Sequence, residues 1–125
     1  MQAIILFLIG LSGYTSAHQF TPTYPELSLA YVKGIYKTEM LLFNSRKDIS
    51  YYSLGVFDKD WKPVKFASEN RIVKMEHLER KNVTIYIRKE DKEKAHYICS
   101  KSKTLIEDQK PSIVTSRICS KIKWD

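Results

Sequence analysis

Between Met40 and Ile87 apolar and polar residues alternate with a period of two, and polar clusters interrupt the pattern at Asn44–Asp48, Asp58–Asp60 and Glu69–Asn70. A period of two puts one set of side chains on each face of a sheet, whereas a helix would need apolar residues three and four apart. Short alternating runs separated by turn-forming residues specify an all-β chain folded as a sandwich.

The alternation predicts about seven antiparallel strands. They cover residues 27–31, 36–43, 49–57, 72–75, 82–88, 95–103 and 113–124. In the second, Thr38, Met40 and Leu42 share a face; in the third, Leu54 and Val56 point inward. The fifth has Val83, Ile85 and Ile87 on one side, and its β-branched density is the clearest strand signal in the chain. Met40, Leu42, Leu54, Val56, Val83, Ile85 and Ile87 are the expected core. Pro22 and Pro25 make residues 21–25 a turn or extended lead-in, Pro63 confines residues 61–64 to an edge, and Lys89–Lys94 reads as a solvated loop, able to extend as a helical turn but with no apolar face to bury. Seven strands is the number of a single immunoglobulin-like β-sandwich. The antibody-type disulfide would need a cysteine on the second strand, where none stands, so the expected sandwich belongs to another branch.

The N-terminus carries no formal charge before Glu26. Ala3–Leu11 is apolar but shorter than the roughly 20 residues a membrane-spanning helix needs. Small residues Thr15, Ser16 and Ala17 follow, which is the layout of a signal peptide cleaved before His18. Residues 1–17 are therefore expected to be removed, leaving one domain at 18–125 in an exported, periplasmic or extracellular protein. No transmembrane segment is expected to remain. An oxidising compartment would join the two cysteines, Cys99 and Cys119, as a structural disulfide.

If that bond crosses an antiparallel pair directly, Tyr97 opposes Lys121 and Lys101 opposes Arg117. One face of the last two strands then carries Tyr97, Cys99, Lys101, Lys103, Arg117, Cys119, Lys121 and Lys123. The other carries Ile98, Ile118, Ile122 and Trp124, with Ser100, Ser102 and Ser120 among them. The apolar set must face inward. The disulfide becomes an outer staple, and Lys101, Lys103, Arg117, Lys121 and Lys123 a basic face. With a formal net charge of +7, this face suits either simple solvation or an anionic partner.

Catalytic patterns are absent. There is no Gly-x-Ser-x-Gly elbow and no Gly-rich phosphate loop. The three histidines lack metal-ligand spacing, and the bonded cysteines offer no nucleophile. Asp58 and Asp60 suit a turn better than acid–base chemistry. Nucleic-acid binding would need aromatics among the basic residues, and only Tyr97 qualifies, so no specific nucleic-acid binding is expected. Asn82-Val83-Thr84 is a formal glycosylation sequon. No enzyme, cofactor or metal is expected.

The stretch from Thr38 to Ile87 resembles the N-terminal immunoglobulin-like domain of periplasmic pilus-assembly chaperones. The resemblance rests on Met40-Leu41-Leu42-Phe43-Asn44 closing one strand, Val56-Phe57-Asp58 closing the next, Ile72-Val73-Lys74-Met75-Glu76, and Lys81-Asn82-Val83-Thr84-Ile85-Tyr86-Ile87. It implies that fold, and a protein partner met through sheet edges by strand addition. Family members anchor a subunit's terminal carboxylate with a basic pair; Leu27-Ser28-Leu29-Ala30-Tyr31 has no such residue, so no site residue is carried over. The expected function is a non-enzymatic exported binding protein, an assembly or accessory factor. The alternative is a structural or surface component of a virion or extracellular appendage, docked through the basic face.

Overall fold

The computed structural model describes residues 18–103 and 116–123. The expected signal segment, Trp124, residues 113–115 of the last expected strand and the loop containing Asp108 and Pro111 lie outside them. Among the described residues, eight strands form two antiparallel sheets. They are β1 (His18–Thr21), β2 (Ser28–Leu29), β3 (Ile35–Asn44), β4 (Tyr51–Phe57), β5 (Ile72–Lys74), β6 (Arg80–Arg88), β7 (Tyr97–Lys103) and β8 (Arg117–Lys121).

In the first sheet β3 is central. It pairs with β6 from Ile35↔Arg88 to Phe43↔Arg80, and with β1 and β2 along its other side. The second sheet has the order β5-β4-β7-β8. The seven residues expected in the core are all buried, with Leu42, Ile85 and Ile87 wholly inaccessible. Tyr52, Met75, Ile98 and Ile122 join them between the sheets. Alternation explains this directly: β4 reads half-buried, buried, half-buried along its length, and β6 alternates from Asn82 to Arg88.

Three expectations need correction. The strand expected at 27–31 shrinks to Ser28–Leu29, because Leu29, Tyr31 and Val32 stay exposed at a hairpin tip. That tip closes through the Ala30 N–H on the Ile35 carbonyl, with Gly34 at φ 84, a left-handed conformation that glycine adopts without strain. The eighth strand is β1, where the sequence suggested only a cleavage flank; His18 and Phe20 point inward and Gln19 and Thr21 outward. Lys89–Asp91 is a 3-10 turn rather than a wholly solvated loop. Asp91 is buried and accepts a hydrogen bond from Arg88 Nε at 2.8 Å.

After β1 the chain crosses to the second sheet. The Lys121 N–H donates to the Thr23 carbonyl and the Lys123 N–H to that of Pro25, and Glu26 forms a parallel bridge with Lys123. The N-terminal segment thus laces both sheets together and covers the end of β8. β6 has a different outer edge: among the described residues it meets only the isolated Ala67–Tyr86 bridge.

A polar network fills one end of the interior. Asn44 Nδ2 donates to the Ile49 carbonyl (2.9 Å) and to that of Glu76 (3.2 Å), while its Oδ1 accepts from the Tyr52 hydroxyl (2.6 Å). The His18 ring lies 4.6 Å from that of Tyr52, with Nδ1 2.9 Å from Ser116 Oγ and Nε2 2.8 Å from Ser100 Oγ. Ser102 Oγ accepts the Ser116 N–H. Inward-facing serines are tolerated because they are bonded: among the described residues no buried side-chain nitrogen or oxygen lacks a partner.

Candidate functional site

The β7–β8 register places Cys99 opposite Cys119, Tyr97 opposite Lys121 and Lys101 opposite Arg117. The disulfide is formed, with the two Cα atoms 4.0 Å apart. Ile98, Ser100, Ser102, Ser120 and Ile122 are buried on the inner side, while Lys101, Lys103, Arg117, Lys121 and Lys123 are exposed on the outer side. The expected basic residues therefore lie on one surface, but in three different settings.

Lys123 is already paired, its Nζ 3.4 Å from Glu26 Oε1. Arg117 folds over an aromatic cluster that the sequence reading missed. Its guanidinium carbon sits 4.8 Å from the centroid of the Phe57 ring and 5.1 Å from that of Trp61. Trp61 in turn stacks on Tyr97 at 4.1 Å with planes 8° apart. The third group, Lys101, Lys103 and Lys121, has no ion-pair partner among the described residues.

A locked turn holds Trp61 in place. Asp58 Oδ1 accepts the N–H groups of Asp60 (2.8 Å) and Lys62 (2.9 Å), and the Asp58 N–H donates to the Lys62 carbonyl. These bonds, that from Lys62 foremost, hold the Asp58 carboxyl below its ordinary pKa. Trp61 sits at φ 64 within the turn, a conformation uncommon for a bulky residue, and keeps 47% of its surface exposed. Period-two reading could not find it, because its side chain reaches the sheet from a turn. The separately visible signal was the Asp58-Lys59-Asp60 turn itself.

The neighbouring strands extend the face. Tyr51 on β4 lies between Lys74 on β5 and Lys103 on β7, and Ser53 lies between Ile72 and Lys101. None of β4, β5, β7 and β8 contains an Asp or Glu. Some cations outside this face have acidic partners: Arg46 pairs with Asp48, Lys81 with Glu79, and Arg88 with Glu90 and Asp91. Beside the aromatic cluster is a depression of about 250 Å³, lined among others by Ser53, Gly55, Phe57, Trp61, Lys101 and Arg117.

The described residues contain no cluster of three His, Cys, Asp or Glu side chains able to hold a metal, and no free cysteine. No helix among them is long and apolar enough to cross a membrane.

The sequence matches no protein-family model and no curated protein. Among solved structures, the chain is similar to the ASH/PapD-like domain of human CEP192 (PapD-like domain 7), with a TM-score of 0.55 over 85% of this chain and 82% of that one. Only 8% of residues are identical, so the likeness concerns the fold. The chaperone-like resemblance legible in Thr38–Ile87 and the two-sheet architecture agree: the chain folds as a PapD-like immunoglobulin sandwich.

Proposed function

We propose that this chain is an exported, non-enzymatic binding domain whose main contact surface is the outer face of the second sheet, docking to an anionic partner. The observation that carries this reading is the gathering of Lys74, Lys101, Lys103, Arg117 and Lys121 on one face of four strands that contain no Asp or Glu. Along β7 the residues Lys101 and Lys103 project from the same face about 7 Å apart, and Lys74 lies across β4 from Lys103. Such an array attracts a polyanion with several charges at once.

Binding of the purified chain to dextran sulfate should therefore weaken steeply as salt rises, because exposed charges more than about 10 Å apart are screened at 0.1 M. The Lys101→Ser/Lys103→Ser double variant should bind roughly 10–30-fold more weakly, on about 1 kcal/mol for each lost exposed pair. Equal binding by this variant and the parent would remove the reading.

A second reading, assembly by strand addition, draws on the edge of β6, which among the described residues pairs from Arg80 to Thr84 with β3 alone. An added strand would supply main-chain hydrogen bonds there. The lacing of residues 23–26 along β8 favours β6 over β8 as the acceptor edge.

The disulfide supports the export part of this reading, because such bonds persist in oxidising compartments. Intact-mass measurement of secreted material should give a chain starting at His18 and two hydrogens lighter than its dithiol form. Retention of Met1, or two free thiols, would count against export.

A further inference from the structure

We infer that the depression beside Trp61 is a subsite for one ring of an acidic polysaccharide, sulfated or uronic, lying along the basic face. The inference rests on the reading of that face as a polyanion-docking surface and adds to it the class of ligand and the residues that select it.

A charged sugar ring has an apolar C–H face and a rim of hydroxyls and anionic groups. The depression has the complementary distribution. Phe57 and Trp61 supply apolar wall, Gly55 leaves the floor low, the Ser53 hydroxyl is polar, and Lys101 and Arg117 bring positive charge to the edge. At about 250 Å³ it is smaller than the roughly 300–1,000 Å³ of drug-sized pockets, which suits a single ring rather than a large ligand. Arg117 is held by stacking on two aromatic rings, so its planar donor fork is oriented before any anion arrives. A guanidinium so placed matches the paired oxygens of a sulfate or carboxylate.

Gly55 keeps the floor open. A Cβ at this position would come within 2.9 Å of Phe57 Cε2 and 3.0 Å of its Cζ, so a larger residue would displace the ring on which Arg117 rests.

The same aromatic residues argue against single-stranded nucleic acid, which is held by bases stacking on free aromatic faces. Here Trp61 is already stacked on Tyr97, and Phe57 is capped by Arg117. What these contacts leave exposed borders the depression and can meet the C–H groups of a sugar ring, but it is not a free ring face on which a base could stack.

The test compares a heparin-derived hexasaccharide, its desulfated counterpart and a single-stranded oligouridylate of equal charge, each titrated into the purified chain at several salt concentrations. Two variants probe the depression: Trp61→Gly, which relieves the left-handed backbone while removing the indole, and Gly55→Ala. Circular dichroism checks that both fold. The sulfated hexasaccharide should bind best of the three. Both variants should weaken it about tenfold, the size expected for losing one aromatic wall. Their salt dependence should match the parent's, whereas Lys101→Ser/Lys103→Ser should lower it. If the hexasaccharide binds in a lysine-dependent way but neither depression variant matters, the subsite is wrong and the docking face stands. Oligouridylate binding as tightly as the hexasaccharide would overturn the ligand class. Absence of salt-sensitive binding to any polyanion would remove both the subsite and the face.

Discussion

Truncating Ile85 to Ala is expected to destabilise the chain by roughly 2–5 kcal/mol, a large part of the 5–15 kcal/mol that holds most domains together. Ile85 is wholly buried on the inner face of β6, opposite Thr38 on β3, itself buried. Removing its outer carbons loses their transfer from water and leaves a cavity between two sheets tied by pairing and by the Cys99–Cys119 bond. The midpoint of chemical unfolding should fall with little change in its slope. Ile85→Val should cost only about 0.5–1.5 kcal/mol. Ile72→Ala, at a residue 46% exposed on β5, should stay within about 0.5 kcal/mol of the parent. A loss at Ile85 no larger than that at Ile72 would contradict a two-sheet core centred on β3 and β6.

Acidification from pH 7 to pH 4 is expected to remove about 3 kcal/mol of stability through His18 alone. Its imidazole is inaccessible to solvent, and burial, aided by the positive charge of Arg46, lowers its pKa from 6.5 to about 4. In the unfolded chain the ring takes up a proton as the pH falls through 6.5, while in the folded chain it stays neutral until about 4. The unfolded state therefore binds more protons between these values, and stability falls with pH across that window. Above 6.5 both states are neutral at this site, and below 4 both are charged, so the loss stops growing. The structural consequence is local: a charged ring would break the neutral donor–acceptor arrangement that ties β1 to Ser100 and Ser116. In His18→Asn, stability should lose most of its slope between pH 4 and 6.5, although the variant starts from a lower level because one of the two serine contacts is lost. Titration of His18 followed by NMR near pH 6.5 would refute its burial. Asp48, whose carboxyl is held low chiefly by its bond from Arg46, acts in a more acidic window, below its unfolded pKa of 3.8.

The sheets were legible where the sequence alternates strictly. Val83, Ile85 and Ile87 needed only period two and β-branching to be placed inward, and a single assumption about Cys99 and Cys119 fixed the partners of Tyr97 and Lys101. β1 was hidden because four residues with a histidine at the first inward position carry almost no apolar signal. Its burial depends on serines some eighty and a hundred residues away. The buried Asn44 looked like a strand-ending residue in sequence, yet in space it joins Tyr52 to carbonyls from two connections. The basic face was anticipated from β7 and β8 alone. Arg117 stands opposite Lys101 as expected, but its side chain lies over Phe57 and Trp61, which supply an attraction that strand register cannot reveal. The extension through Lys74 and Tyr51 followed only once β4 was seen between β5 and β7.

The docking face is tested most directly by mapping backbone amide NMR shifts while a sulfated polysaccharide is added to the labelled chain. Shifts should concentrate at Tyr51, Lys74, Lys101, Lys103 and Arg117, on the four strands of the second sheet, and fade as salt is raised. Shifts confined to the β6 edge around Asn82–Thr84, or none anywhere, would contradict it.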